Sequence, residues 1–100
     1  MRKLIRDLIP QISKNNLDLS TCTSYEEYTY LIKEKLIEEG LEVKQANTRE
    51  QLLEEIADVY EVLDALLVHC DIDQSEVQTV KEQKKQERGG FSAGFILTQG

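Results

Sequence analysis

The segment LIEEGLEVKQANTREQLLEEIAD, residues 36–58, decides how this chain is read, because it sets acids where a helix core should be apolar. Extended upstream to Ser24 and turned as one helix at about 100° per residue, Tyr25, Tyr28, Ile32, Leu36, Val43 and Ala46 share one arc. Glu39 falls near the centre of that arc and Glu42 at its edge. After a short break the next helix carries Glu55 and Asp58, again three apart and so neighbours on one face. Acids three apart are common on solvated faces, but these interrupt an apolar stripe. A carboxylate buried among aliphatic groups costs several kcal/mol unless it is paired or neutralised. Four that converge call for a cation.

Convergence follows from the elements around the segment. Ser24 with Glu27, and Thr48 with Gln51, are capping boxes; they predict helices from Ser24 to about Ala46 and from about Arg49 to Cys70. Two long helices joined by a tight turn near Asn47-Thr48 lie antiparallel, and at ~1.5 Å rise per residue the two acidic pairs come level. Gly40 costs up to about 1 kcal/mol relative to Ala inside a helix, and it also gives a ligand or partner room to approach. In the second helix Leu52, Leu53, Ile56, Ala57, Val59, Tyr60, Val62, Leu63 and the run Ala65–Val68 occupy most of the circumference. That pattern predicts burial nearly all round. Glu54, Glu55, Asp58 and Glu61 share a sector of roughly 120°, either a solvent face or the wall of a site.

Outward from this pair the signals weaken. Lys3 to Lys14 reads as an extended lead into a short helix around Pro10, and Asn15 to Thr23 as a polar loop. Asp73 with Glu76 opens a polar helix to about Arg88, stopped by Gly89. The tail from Phe91 to Gly100 is apolar and too short for a core of its own, so it is expected on the body or on a second chain, with an edge strand as another option. The expected architecture is a single all-α domain over residues 1–100. Its antiparallel hairpin forms a four-helix-type bundle core completed by a second chain.

Composition narrows the partners. A net charge of -7 over 100 residues argues against nucleic acid or an anionic membrane held by general electrostatics. An anionic substrate remains compatible, since a bound divalent cation reverses the local field. Cys22 and Cys70 lack metal-ligand spacing and read as reduced thiols, which points to the cytoplasm. The charged opening, Met1 to Asp7, does not read as a signal peptide, and no apolar run approaches membrane length. His69, the single histidine, sits where an imidazole complements a helix end. The four tyrosines fit bundle packing, with Tyr28 or Tyr60 also able to stack on a base.

Oxygen-only ligands favour a hard cation, Mg²⁺ or Mn²⁺, and the lack of a His or Cys cluster disfavours zinc. Such a cation shares its sphere with phosphates, which suggests phosphoryl or pyrophosphoryl chemistry.

Lys35-Leu36-Ile37-Glu38-Glu39-Gly40-Leu41-Glu42, followed by Glu54-Glu55-Ile56-Ala57-Asp58-Val59-Tyr60-Glu61-Val62, resembles the metal-binding signature of the MazG-type all-α nucleoside triphosphate pyrophosphohydrolases. Lys3 to Pro10 and Lys85-Gln86-Glu87-Arg88-Gly89-Gly90-Phe91 resemble a small branch of it labelled phosphoribosyl-ATP pyrophosphohydrolase-like. The resemblance implies a homodimer or homotetramer that hydrolyses a nucleoside triphosphate to a monophosphate and pyrophosphate. It implies Glu39, Glu42, Glu55 and Asp58 as ligands of Mg²⁺, or of Mn²⁺, and Glu38 and Glu39 as the catalytic acids, Glu38 either as an additional ligand or as the base that orients water. Lys3, Arg6, Lys35, Lys85 and Arg88 are the substrate-binding residues by the same likeness. The chain departs from the branch at Leu8, where Lys is common, and at Ser92-Ala93-Gly94, which lack the usual basic residues. It also lacks the motifs expected of the histidine-pathway enzyme, so the label does not name its substrate. The rival from another class is a catalytically silent helical scaffold or a nucleotide-binding regulatory module.

Overall fold

Four stretches of the chain close their own backbone hydrogen bonds as helices: α1 (Ile9–Ile12), α2 (Tyr25–Gln45), α3 (Arg49–His69) and α4 (Gln74–Arg88). The computed structural model describes residues 2–98, and among them no strand occurs. The fold is all-α, as expected, and the tail adopts no edge strand over its described residues. Its last two residues, 99 and 100, lie outside them.

Each long helix starts where its capping signal stands. Ser24 Oγ accepts from the Glu27 amide at 3.0 Å, and Thr48 Oγ1 accepts from the Gln51 amide at 3.1 Å. Glu27 and Gln51 return the bond one residue early, to the amides of Thr23 and Asn47. At the third start the Asp73 amide donates to Glu76 at 2.8 Å. α3 ends in a left-handed residue, Asp71, with φ 55°; the amides of Asp71 and Ile72 donate back to Val68 and Leu67, which closes the last turn as a Schellman motif.

α2 and α3 are the helices that pack closely on one another. The buried side chains between them are Leu31, Ile32, Val62 and Glu39. Ile32 and Glu39 belong to the arc read from the sequence, and Leu36, Val43 and Ala46 line it half-buried. The expectation that α3 is buried nearly all round is not met within one chain. Leu53 and Tyr60 are 60% and 66% exposed, and Leu52, Ile56 and Leu63 lie beside them on the same outer side. The hydrophobic pattern reports that a face wants cover, and among the described residues no element covers it. The tail does not serve either: Phe91 and Phe95 are 100% and 96% exposed, so it does not pack on the body. The radius of gyration is accordingly 17.1 Å, against about 13 Å for a compact chain of this length.

The open end of the pair is tied by His69. Its ring stacks on Tyr25 at 4.0 Å between centroids and lies against Tyr28 at 4.4 Å. Its Nε2 stands 2.7 Å from Thr29 Oγ1 and 3.2 Å from the Tyr25 carbonyl. The residue therefore does more than complement the helix end, because it joins α3 to the first turns of α2. His69→Ala is expected to lower the melting temperature at a cost of about 1–2 kcal/mol, with the midpoint read by circular dichroism.

Candidate metal centre

The short connection Ala46-Asn47-Thr48 folds α3 back along α2, and the two acidic pairs meet. One carboxylate oxygen from each of Glu39, Glu42, Glu55 and Asp58 lies within 4.8 Å of the others. Glu39 is buried, Glu55 and Asp58 are half-buried, and Glu42 opens to solvent. The sector of acids on α3 is thus split: Glu55 and Asp58 turn toward α2, while Glu54 and Glu61 stay exposed.

Two buried oxygens, Glu39 Oε2 and Glu55 Oε2, have no hydrogen-bond partner among the described residues. Buried polar atoms are ordinarily satisfied, so two orphans facing into an acidic cluster fit a divalent ion. An all-oxygen donor set suits Mg²⁺ or Mn²⁺. The electrostatics carry the same strain. The Glu39 carboxyl is pushed up to about 7, first by burial, then by the close approach of the Glu42 carboxyl and the charges of Glu42 and Asp58, against the pull of Lys35. Glu55 is raised by burial first, then by Glu42, Asp58 and Glu54.

The sign of the pH dependence follows. The unfolded chain releases the Glu39 proton near 4.5, while the folded chain keeps it until about 7. Over that interval the folded state binds more protons, so the stability these groups supply is complete below 4.5 and is lost as pH rises through 7. In chelator, the melting temperature is expected to fall between pH 5 and pH 8. The Glu39→Gln variant should show a flatter profile, and thermal melts across that range check both.

Of the basic residues, three meet the acids. Lys35 Nζ pairs with Glu38 at 2.8 Å and with Glu39 at 3.6 Å. Partial burial opposes its charge, but the two glutamates outweigh it and raise its pKa. Arg6 Nη2 lies 2.6 Å from Asp58 Oδ1, and Lys3 Nζ 3.1 Å from Glu38 Oε1. Glu38 stands outside the four-acid group with both oxygens engaged. Its pKa is lowered, first by the hydrogen bond from Lys35, which makes it a poor proton acceptor. Lys85 and Arg88 are exposed on α4, and neither forms an ion pair among the described residues. A fourth basic residue, Arg2, was not singled out from the sequence; it pairs with Glu27 at 2.6 Å. The only sign of it was the clustering of charge at positions 2, 3 and 6.

Gly40 has open space where a side chain would begin, with nothing within 4 Å. Tyr28, engaged with His69, is eleven residues from Glu39, roughly 16 Å along the helix, and Tyr60 lies on the exposed outer stripe of α3. No described helix is long and apolar enough to cross a membrane. Comparison of the chain with known protein families, curated proteins and solved structures finds no match.

Proposed function

We propose that this chain is a Mg²⁺-dependent nucleoside triphosphate pyrophosphohydrolase of the MazG-like kind, releasing a nucleoside monophosphate and pyrophosphate, with non-standard nucleotides as its plausible substrates. The observation that carries the reading is the meeting of four carboxylates from two helices, two of them with buried oxygens left unpartnered. Glu39, Glu42, Glu55 and Asp58 would hold the ion, Mg²⁺ or Mn²⁺. When bound, it supplies charge neutralisation on the phosphates and lowers the pKa of water.

The chain's own groups do the rest. Lys35 stands beside Glu39, where an ammonium can meet a phosphate oxygen. Glu38 holds Lys35 and Lys3 in place, and proton acceptance falls to a carboxylate oxygen of the cluster that does not ligate the ion. Water adds to a phosphorus of the anhydride, the bridging P–O bond breaks, and the attacking water's proton passes to that base.

The same reading holds that a second chain completes the core as a four-helix bundle, in a homodimer or homotetramer. In support, the buried apolar side chains of one chain, Leu31, Ile32 and Val62, contribute about 1.5–3 kcal/mol each, which is little to order a chain of this length. The exposed apolar tail favours a second reading, a helical scaffold that binds a nucleotide or a partner without turnover. Pyrophosphate release with Mg²⁺ across a panel of standard and modified triphosphates separates them. Release from at least one, abolished by chelator, supports the hydrolase; silence across the panel supports the scaffold.

A further inference from the structure

The segment before α1 lies across the hairpin as a charged strap. Arg2, Lys3 and Arg6 each reach an acid of α2 or α3, and Arg6 takes Asp58, a member of the four-acid group, at 2.6 Å. The four acids carry up to four negative charges within 4.8 Å. Lys35 and Arg6 are the counter-charges that touch them. The two differ in mobility. Lys35 is 17% exposed and fixed in a helix, whereas Arg6 is 57% exposed and sits on a segment without regular secondary structure. An exposed ion pair of this kind is weak and easily displaced.

We propose that Arg6 is the resident counter-ion of Asp58, displaced when a divalent cation enters and thereby freed to meet an anionic ligand. The inference rests on the reading of the four acids as a cation site. A guanidinium and a divalent ion repel at ligand distance in a half-buried site, so each lowers the occupancy of the other. Arg6 therefore weakens the binding of metal alone. The released guanidinium is then available, within reach of the same site, for bidentate contact with phosphate. Metal and phosphate thus favour one another's binding through a side chain that only one of them evicts.

The test titrates the full-length protein with Mn²⁺ alone by calorimetry and follows amide exchange over residues 2–8. Arg6→Ala is expected to bind Mn²⁺ roughly two- to fivefold more tightly than wild type. Lys33→Ala, which removes an exposed charge on α2, should match wild type. Mn²⁺ should also speed amide exchange over the strap in the wild-type protein. With wild type binding Mn²⁺, an equal or weaker affinity in Arg6→Ala overturns the proposal and leaves the metal site standing. An equal gain in both variants, or a strap whose exchange ignores Mn²⁺, overturns it as well. No Mn²⁺ binding by wild type removes the metal reading and this proposal together.

Discussion

Replacing Glu39 with Gln is expected to abolish divalent-cation binding and turnover while raising the melting temperature of the metal-free protein. The two effects share one cause. Glu39 is the most buried of the four acids, one of its oxygens has no partner among the described residues, and its pKa is driven to about 7 by burial and by Glu42 and Asp58. At pH 8 its charge is therefore a burden on the folded chain. An amide of the same shape removes that repulsion, a gain on the order of 1–2 kcal/mol. The same change deletes a central ligand. Loss of outer-sphere partners alone costs 10- to 100-fold in metalloenzymes, so loss of the ligand should cost at least about a hundredfold in activity. Asp58→Asn should lose activity likewise but gain less stability, because it also gives up the pair with Arg6. Calorimetric Mn²⁺ titration, pyrophosphate release and thermal melts in chelator read the three quantities. Full activity in either variant, or in chelator, would falsify the metal mechanism.

The second large effect concerns the outer side of α3. Sedimentation of the wild-type chain is expected to give a dimer or tetramer, and Leu53→Lys is expected to dissociate it and to lower the melting temperature steeply. Leu53 and Tyr60 are more than half exposed in one chain, with Leu52, Ile56 and Leu63 beside them. A contiguous apolar stripe of this kind on a small domain is the surface an interface would cover. Burying a Leu side chain is worth about 1.5–3 kcal/mol. A lysine placed there in both copies forfeits that twice and sets two charges in the interface. Dissociation and unfolding should therefore coincide. A monomeric wild type, or a Leu53→Lys variant with unchanged mass and melting point, argues against a bundle completed by a second chain.

The parts of this fold that could be read in advance are those set by local periodicity. The starts of α2, α3 and α4 coincide with Ser24, Thr48 and Asp73, since a cap and its return residue are three apart in the chain. The four acids were legible for the same reason: a helical period and a short turn bring them level without reference to anything distant. Leu31 was not anticipated in the buried set, because at the edge of the arc the pattern does not distinguish core from boundary. Coverage of α3 was misread, because apolar spacing states that a face needs cover and is silent on who provides it. The pairing of Arg6 with Asp58 spans most of the hairpin in sequence and has no local signature. The likeness to a known family named Lys3 and Arg6 as substrate-binding residues, and gave no reason to expect them on the acids.

His69 gives the acidic cluster a mechanical meaning. The hairpin is clasped at both ends, by the connection Ala46-Asn47-Thr48 at one and by the His69 ring against Tyr25 and Thr29 at the other. Like charges on a pair of helices free at one end relax by splaying apart. Between two clasps they cannot, so the carboxylates are held close before any cation arrives, and the work of gathering the ligands is done by folding instead of by the ion. Cutting the far clasp should leave the acids in place in the sequence and slacken the cage they form.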